Sequence, residues 1–136
     1  MPRLATLGDV LDLVEMGRKF KDASGMVAPF NPEAARDFIS TMIEAEAGVV
    51  FVSDAGMIGG ALVPTYFSPE WLMAVELAWW SEGRDGLRLL AAFEGWARDM
   101  GASEIRMTTL ASIPGPAKIM ARKGYAPIEI SYQKVI

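Results

Sequence analysis

The chain has 136 residues, 51% of them hydrophobic, with 13 Lys and Arg against 17 Asp and Glu and neither cysteine nor histidine. That length fits one domain, spanning 1–136, around a single core. The missing residue types exclude disulfides, cysteine nucleophiles, thiolate or imidazole metal sites and any Ser-His-Asp arrangement, so no metal is expected and proton transfer falls to Asp, Glu, Tyr, Lys or water. The formal charge of −4 offers no general nucleic-acid surface and reads as an aid to solubility. No stretch nears the roughly 18 consecutive apolar residues that span a bilayer. Met1 to Thr6 lacks the apolar core of a secretory signal, so a cytoplasmic location is expected.

Asp9 to Lys21 reads as an amphipathic helix, with Val10, Leu11, Leu13, Val14 and Gly17 on one face. Asp22 to Phe30 reads as a loop broken by Gly25 and Pro29. A second helix is expected from Asn31, a good N-cap followed by Pro32 and Glu33, with Phe38, Ile39, Met42 and Ile43 as its apolar stripe and Gly48 at its end. Three strands follow, at Val49–Ser53, Met57–Tyr66 and Trp71–Trp80, the first two joined by an Asp54-Ala55-Gly56 turn. The third is apolar on both faces except for Glu76, which marks it as central. Its Trp79 and Trp80 point to opposite faces, so at most one of them is expected in a site at that level. Then come a helix over Leu87–Met100, a strand over Glu104–Thr109, a short helix over Pro116–Lys123 and a last alternating strand over Ile128–Ile136. The order α-α-β-β-β-α-β-α-β predicts an α/β (α+β) fold, a mixed sheet with helices on both faces.

Two places carry chemistry. Ser81 to Gly86 joins a strand to a helix through a glycine-containing turn. A helix N-terminus offers unpaired N–H groups and a partial positive charge, and glycines let a phosphate approach the backbone. The same composition also suits a plain strand-to-helix turn. Glu76 is a lone charge in an apolar strand, costly to bury unless paired or partly hydrated. It reads either as a general base raised by desolvation or as a structural partner of an arginine or of backbone N–H groups.

Three stretches, VVFVSDAGMIGGALVPTYF (Val49–Phe67), VELAWWSEGRDGLRLLAAFEGWARDMGASEIRM (Val75–Met107) and AKIMARKGYAPIEISYQKVI (Ala117–Ile136), resemble the GNAT superfamily of N-acetyltransferases over nearly the whole chain. The resemblance implies transfer of an acetyl group from acetyl-CoA to a primary amine, within a ternary complex and without a metal. It implies that Ala78, Trp79 and Trp80 pair with the pantetheine arm. The pyrophosphate would rest on backbone N–H groups of Gly83, Arg84, Asp85, Gly86 and Leu87, with charge from Arg84 and Arg88. Glu76 would be the base that deprotonates the amine. The stretch is a shortened form of the family's loop, with Gly86 in the place of its last glycine. Met120 stands where the family often has a tyrosine acid. Ser112 is a further candidate to serve through a water. Small-molecule or protein amines are the expected acceptors, reached past a lid over Lys21–Phe30 and lined by Tyr66, Phe67, Trp71, Trp79 or Tyr132. No membrane partner is expected, and a homodimer through the final strand is open. The alternative is a non-catalytic acyl-CoA- or ligand-binding module that retains the GNAT fold.

Overall fold

The computed structural model describes all 136 residues. Its elements run β1 (Arg3–Leu4), α1 (Val10–Ser24), α2 (Pro32–Glu44), β2 (Gly48–Ser53), β3 (Gly56–Thr65), β4 (Ser68–Ser81), α3 (Gly86–Asp99), β5 (Glu104–Arg106) and α4 (Gly115–Arg122). The strands form one sheet in the order β1-β2-β3-β4-β5. The first three pairings are antiparallel and β4–β5 is parallel. This mixture follows from the connections. Short turns permit antiparallel neighbours, whereas the parallel pair needs the crossover that α3 supplies.

Period-two alternation sends successive strand residues to opposite cores. Val49, Ile58 and Ala74 pack with Leu89, Phe93 and Ala97 of α3. Val50, Val52 and Met57 pack with Leu13 of α1, flanked by Ile39, Met42 and Ile43 of α2. The helix ends follow their expected caps. Asn31 Oδ1 accepts from the N–H groups of Glu33 and Ala34, both at 3.1 Å. Gly25, at φ 74°, follows α1 in the left-handed conformation that glycine adopts freely.

One irregularity in β4 matters more than the rest. Gly59 pairs with Ala78 but Gly60 pairs with Glu76, which leaves Leu77 with no partner on β3. A bulge of this kind inverts the alternation downstream. Ala74 therefore faces α3 while Ala78 and Trp80 face α1 and α2. In a regular strand all three would share a face.

The structure differs from the expected strands at both ends of the chain. Residues 126–136 form no strand and are exposed throughout, and no backbone hydrogen bond joins them to the sheet. Their apolar alternation is genuine, but alternation specifies faces and not a partner, and β5 offers only three residues to pair with. One side-chain contact reaches them, Arg106 Nη1 donating to Glu129 Oε1 at 3.2 Å. The sheet instead gains the two-residue edge β1, too short to show as a pattern. The other elements lie where expected, with ends displaced by a few residues.

A Cβ on Gly60 would stand 2.5 Å from both Phe93 Cε1 and the Val75 carbonyl. One obstacle is a fully buried ring and the other is backbone, so neither can withdraw. A Cβ on Gly95 in α3 would meet nothing within 4 Å. Gly60→Ala should therefore destabilise the fold by roughly 2–3 kcal/mol, and Gly95→Ala should stabilise it by about 0.5–1 kcal/mol. Urea unfolding of the two variants beside the parent checks both signs.

Candidate active site

The site begins where β4 loses a neighbour. Its pairing with β5 ends at Val75 opposite Arg106, while its pairing with β3 continues to Ser81. From Leu77 to Ser81 one edge of β4 is therefore bare. Beyond β5 the chain turns away, and Thr108, Thr109, Leu110, Ile113, Pro116 and Ile119 form an opposing wall. Between this wall and β4 lies an open cleft of about 650 Å³.

Glu76, Trp79, Trp80, Gly83, Arg84, Gly86 and Leu87 all line that cleft. Ala78 does not; the bulge turns it into a separate apolar cavity on the other face. Asp85 and Arg88 also lie outside the lining and pair with each other at 3.5 Å. Both tryptophans reach the cleft, against the expectation of at most one. The cleft opens along a strand edge, which exposes side chains of either face.

Glu76 is 5% exposed. Its Oε1 accepts from the Thr108 N–H at 3.0 Å, and it has no cationic partner. Of the structural partners open from sequence, an arginine is absent and a backbone N–H is present. Burial dominates this environment and pushes the carboxyl up to about 7, against the smaller opposing effect of the Thr108 N–H. The group thus stands near half-ionised at neutral pH, the condition that suits a general base. Thr108 carries no sequence signal of this role, because its contribution is a backbone N–H placed by the end of β5.

The turn into α3 has the polarity of an anion site. The N–H groups of residues 83–88 have no acceptor within the protein; the first helical bond here runs from Leu89 N to Asp85 O at 2.8 Å. Trp79 Nε1 donates to Gly86 O at 3.2 Å and fastens the helix start to β4. The nearby charges partly cancel: Lys19 pairs with Glu82 at 3.0 Å and Asp85 with Arg88. Arg84 makes no ion pair and lines the cleft, so it leaves a net positive charge beside the free N–H groups.

Most of the other expected residues lie elsewhere. Met26 from the α1–α2 connection lines the cleft. Tyr66, Phe67 and Tyr132 are exposed at 90%, 82% and 89%, and Trp71 Nε1 donates to Glu104 at 2.7 Å. Ser112 Oγ donates to the Ala23 carbonyl at 3.5 Å and does not line the cleft. Met120 is buried. The Tyr125 hydroxyl donates to buried Glu94 at 3.1 Å, which also forms an ion pair with Lys123 at 3.0 Å. That cluster ties the end of α4 to α3, and burial raises the Tyr125 pKa out of any useful range. Among all Asp and Glu no group of three gathers as a metal site, and no helix is long and apolar enough to cross a membrane.

A buried acid raised from 4.5 to about 7 makes the folded state hold this proton where the unfolded chain has released it. Stability therefore falls as pH rises from about 4.5 to 7, by up to roughly 3 kcal/mol, and the loss is complete above that window. Glu76→Gln keeps an acceptor for Thr108 and removes the titration. It should flatten this part of the stability curve and be the more stable protein at pH 8. Urea melts of both proteins between pH 4 and 8 test this, and parallel curves would refute it.

No family model and no curated protein matches the chain. Solved structures do match over nearly its full length. A candidate acetyltransferase from Arthrobacter sp. FB24 superposes with a TM-score of 0.78 at 20% identity, covering 99% of this chain and 96% of the other. A transcriptional regulator from Bacillus halodurans C-125 gives 0.77 at 17%, covering 100% and 99%. A candidate acetyltransferase from Clostridium acetobutylicum, solved with acetyl-CoA, gives 0.77 at 11%, covering 99% and 95%. At such identities the likeness concerns architecture and leaves chemistry to the site. The mixed sheet, its helices on both faces and these superpositions together give the chain a GNAT-like acetyltransferase fold.

Proposed function

We propose that the protein is an N-acetyltransferase that moves an acetyl group from acetyl-CoA to a primary amine by direct attack in a ternary complex. The observation that carries this reading is that one cleft holds both a raised, dry carboxyl, Glu76, and a run of unpaired N–H groups beside an unpaired arginine. The first suits amine activation and the second suits a pyrophosphate. The bare edge of β4 from Leu77 to Ser81 lies between them. It offers main-chain groups to the amide-bearing pantetheine arm, in the manner of strand addition.

Glu76 then has one task. An alkyl ammonium with an ordinary pKa of about 10.4 is neutral in only about 1 molecule in 1,000 at pH 7. The Glu76 carboxylate takes the ammonium proton, directly or through a water. The freed nitrogen lone pair bonds to the thioester carbonyl carbon, the nitrogen then gives up its second proton to solvent, and the carbon–sulfur bond breaks. The sulfur leaves as a thiolate and takes a proton from solvent; with free thiols near pKa 8.5, no protein acid is needed. The buried thioether of Met120 supplies none. That same residue, with the short turn at 82–85, favours the second reading, a binding module that keeps the fold without turnover.

Two measurements separate the readings. Acetyl-CoA should raise the melting temperature by mass action, and Arg84→Ala should reduce that shift. With an accepted amine, Glu76→Gln should lower kcat by about 100-fold while leaving the acetyl-CoA Kd within about twofold. Wild-type kcat/KM should rise with pH through a limb near 7, set by Glu76. Cofactor binding without turnover on any amine would establish the binding module.

A further inference from the structure

A second cavity lies on the opposite side of β4. It is bounded by α1 and α2 above and by β2, β3 and β4 below, and holds about 180 Å³. Its walls include Phe38, Met42, Met57 and Leu77, and no lining side chain carries a charge, hydroxyl or amide. Two glycines keep it open. Gly17, inside α1, faces it, and a Cβ there would meet nothing within 4 Å. A helix-interior glycine weakens its helix, and here close packing gives no reason for it. A Cβ on Gly59 would reach into the same space, 3.7 Å from Val50 Cγ2. α2 has no fully buried residue although its apolar stripe faces the sheet; the cavity occupies the intervening room.

Leu77 is the bulged residue of β4, next to Glu76, and it lines both this cavity and the cleft. It is 46% exposed, and Phe38 at the rim is 55% exposed, so the cavity is accessible from solvent. Resting on the acetyltransferase reading above, we infer that this cavity seats the non-reacting part of the acceptor, which is a small hydrophobic primary amine bearing one aryl ring or an alkyl group of similar volume. Size and charge both point this way. An apolar cavity of about 150 Å³ accommodates one benzene molecule, close to the volume found here. The cleft itself contributes one carboxylate, Glu76, and one arginine. It therefore has a counter-charge for a single ammonium and none for the further charges of a polycation. Seated with its ring behind Leu77, such an amine extends its nitrogen past the bulge toward Glu76.

The test is direct binding by calorimetry on the intact chain, with 2-phenylethylamine against ethanolamine and against a polycationic amino sugar. 2-Phenylethylamine should bind at least tenfold more tightly than either. Gly17→Leu, which fills the cavity from a position with free space, should weaken that binding at least tenfold and leave the acetyl-CoA Kd unchanged. Phe38→Ser, at an exposed rim position, should act in the same direction and covers the case of a misfolded Gly17 variant. Equal affinity for the aromatic and polar amines overturns the inference, as does insensitivity to both substitutions. Binding of a peptide with N-terminal leucine, without binding of the small amine, also overturns it. Because these readouts need no turnover, loss of acetyl-CoA binding with 2-phenylethylamine binding intact would sink the acetyltransferase reading and leave the hydrophobic-amine site standing.

Discussion

Everything at the candidate site depends on β4 losing a neighbour on one side while keeping one on the other. From Met73 to Val75 the strand is paired on both edges, to β3 and β5. From Ala78 onward only β3 remains. A bare strand edge inside a protein carries unpaired N–H and C=O groups, which are costly unless water or a ligand meets them. The fold tolerates this edge because it opens on a cleft. The bulge at Leu77 lies at the same level and gives the strand two different outlooks, toward the cleft at Glu76 and toward the apolar cavity at Ala78.

Two electrostatic conditions are then set by neighbours and not by the site residues alone. Glu76 is raised because it is dry; its one backbone donor opposes the shift only in part, and no cation holds its charged form. In the turn before α3 the acids are already paired, Glu82 with Lys19 and Asp85 with Arg88. Asp85 and Glu82 would each repel a phosphate if they stood unpaired. Their pairings remove the objection and leave Arg84 as the unpaired charge in the cleft.

Much of this was legible in the chain because it rests on local rules. The helix starts at Asn31-Pro32 and near Gly86, the turn at Asp54-Ala55, the apolar β4 and its lone buried Glu76 are all readable from caps, turns and hydropathy. What escaped was set by partners distant in sequence. Ile128 to Ile136 alternates as a strand should, yet whether it pairs depends on the length of β5 and not on its own residues. The parity of β4 fared likewise. Alternation places Trp79 and Trp80 on opposite faces, as they are, but the slip between Gly59 and Gly60 decides which face each takes.

The sequence by itself therefore determined the class of chemistry available, through the absence of cysteine and histidine, and the run of elements that makes a mixed sheet. It also singled out Glu76 and the turn into α3, since a charge in an apolar strand and a glycine-bearing helix start are local facts. Tertiary structure alone decided that these two share one cleft, that Thr108 is the carboxylate's partner and that Ala78 belongs to a different cavity. The reason is the same in each case. Local rules fix what a segment is, whereas desolvation, ion pairing and an unpaired strand edge depend on which remote segments come to lie beside it.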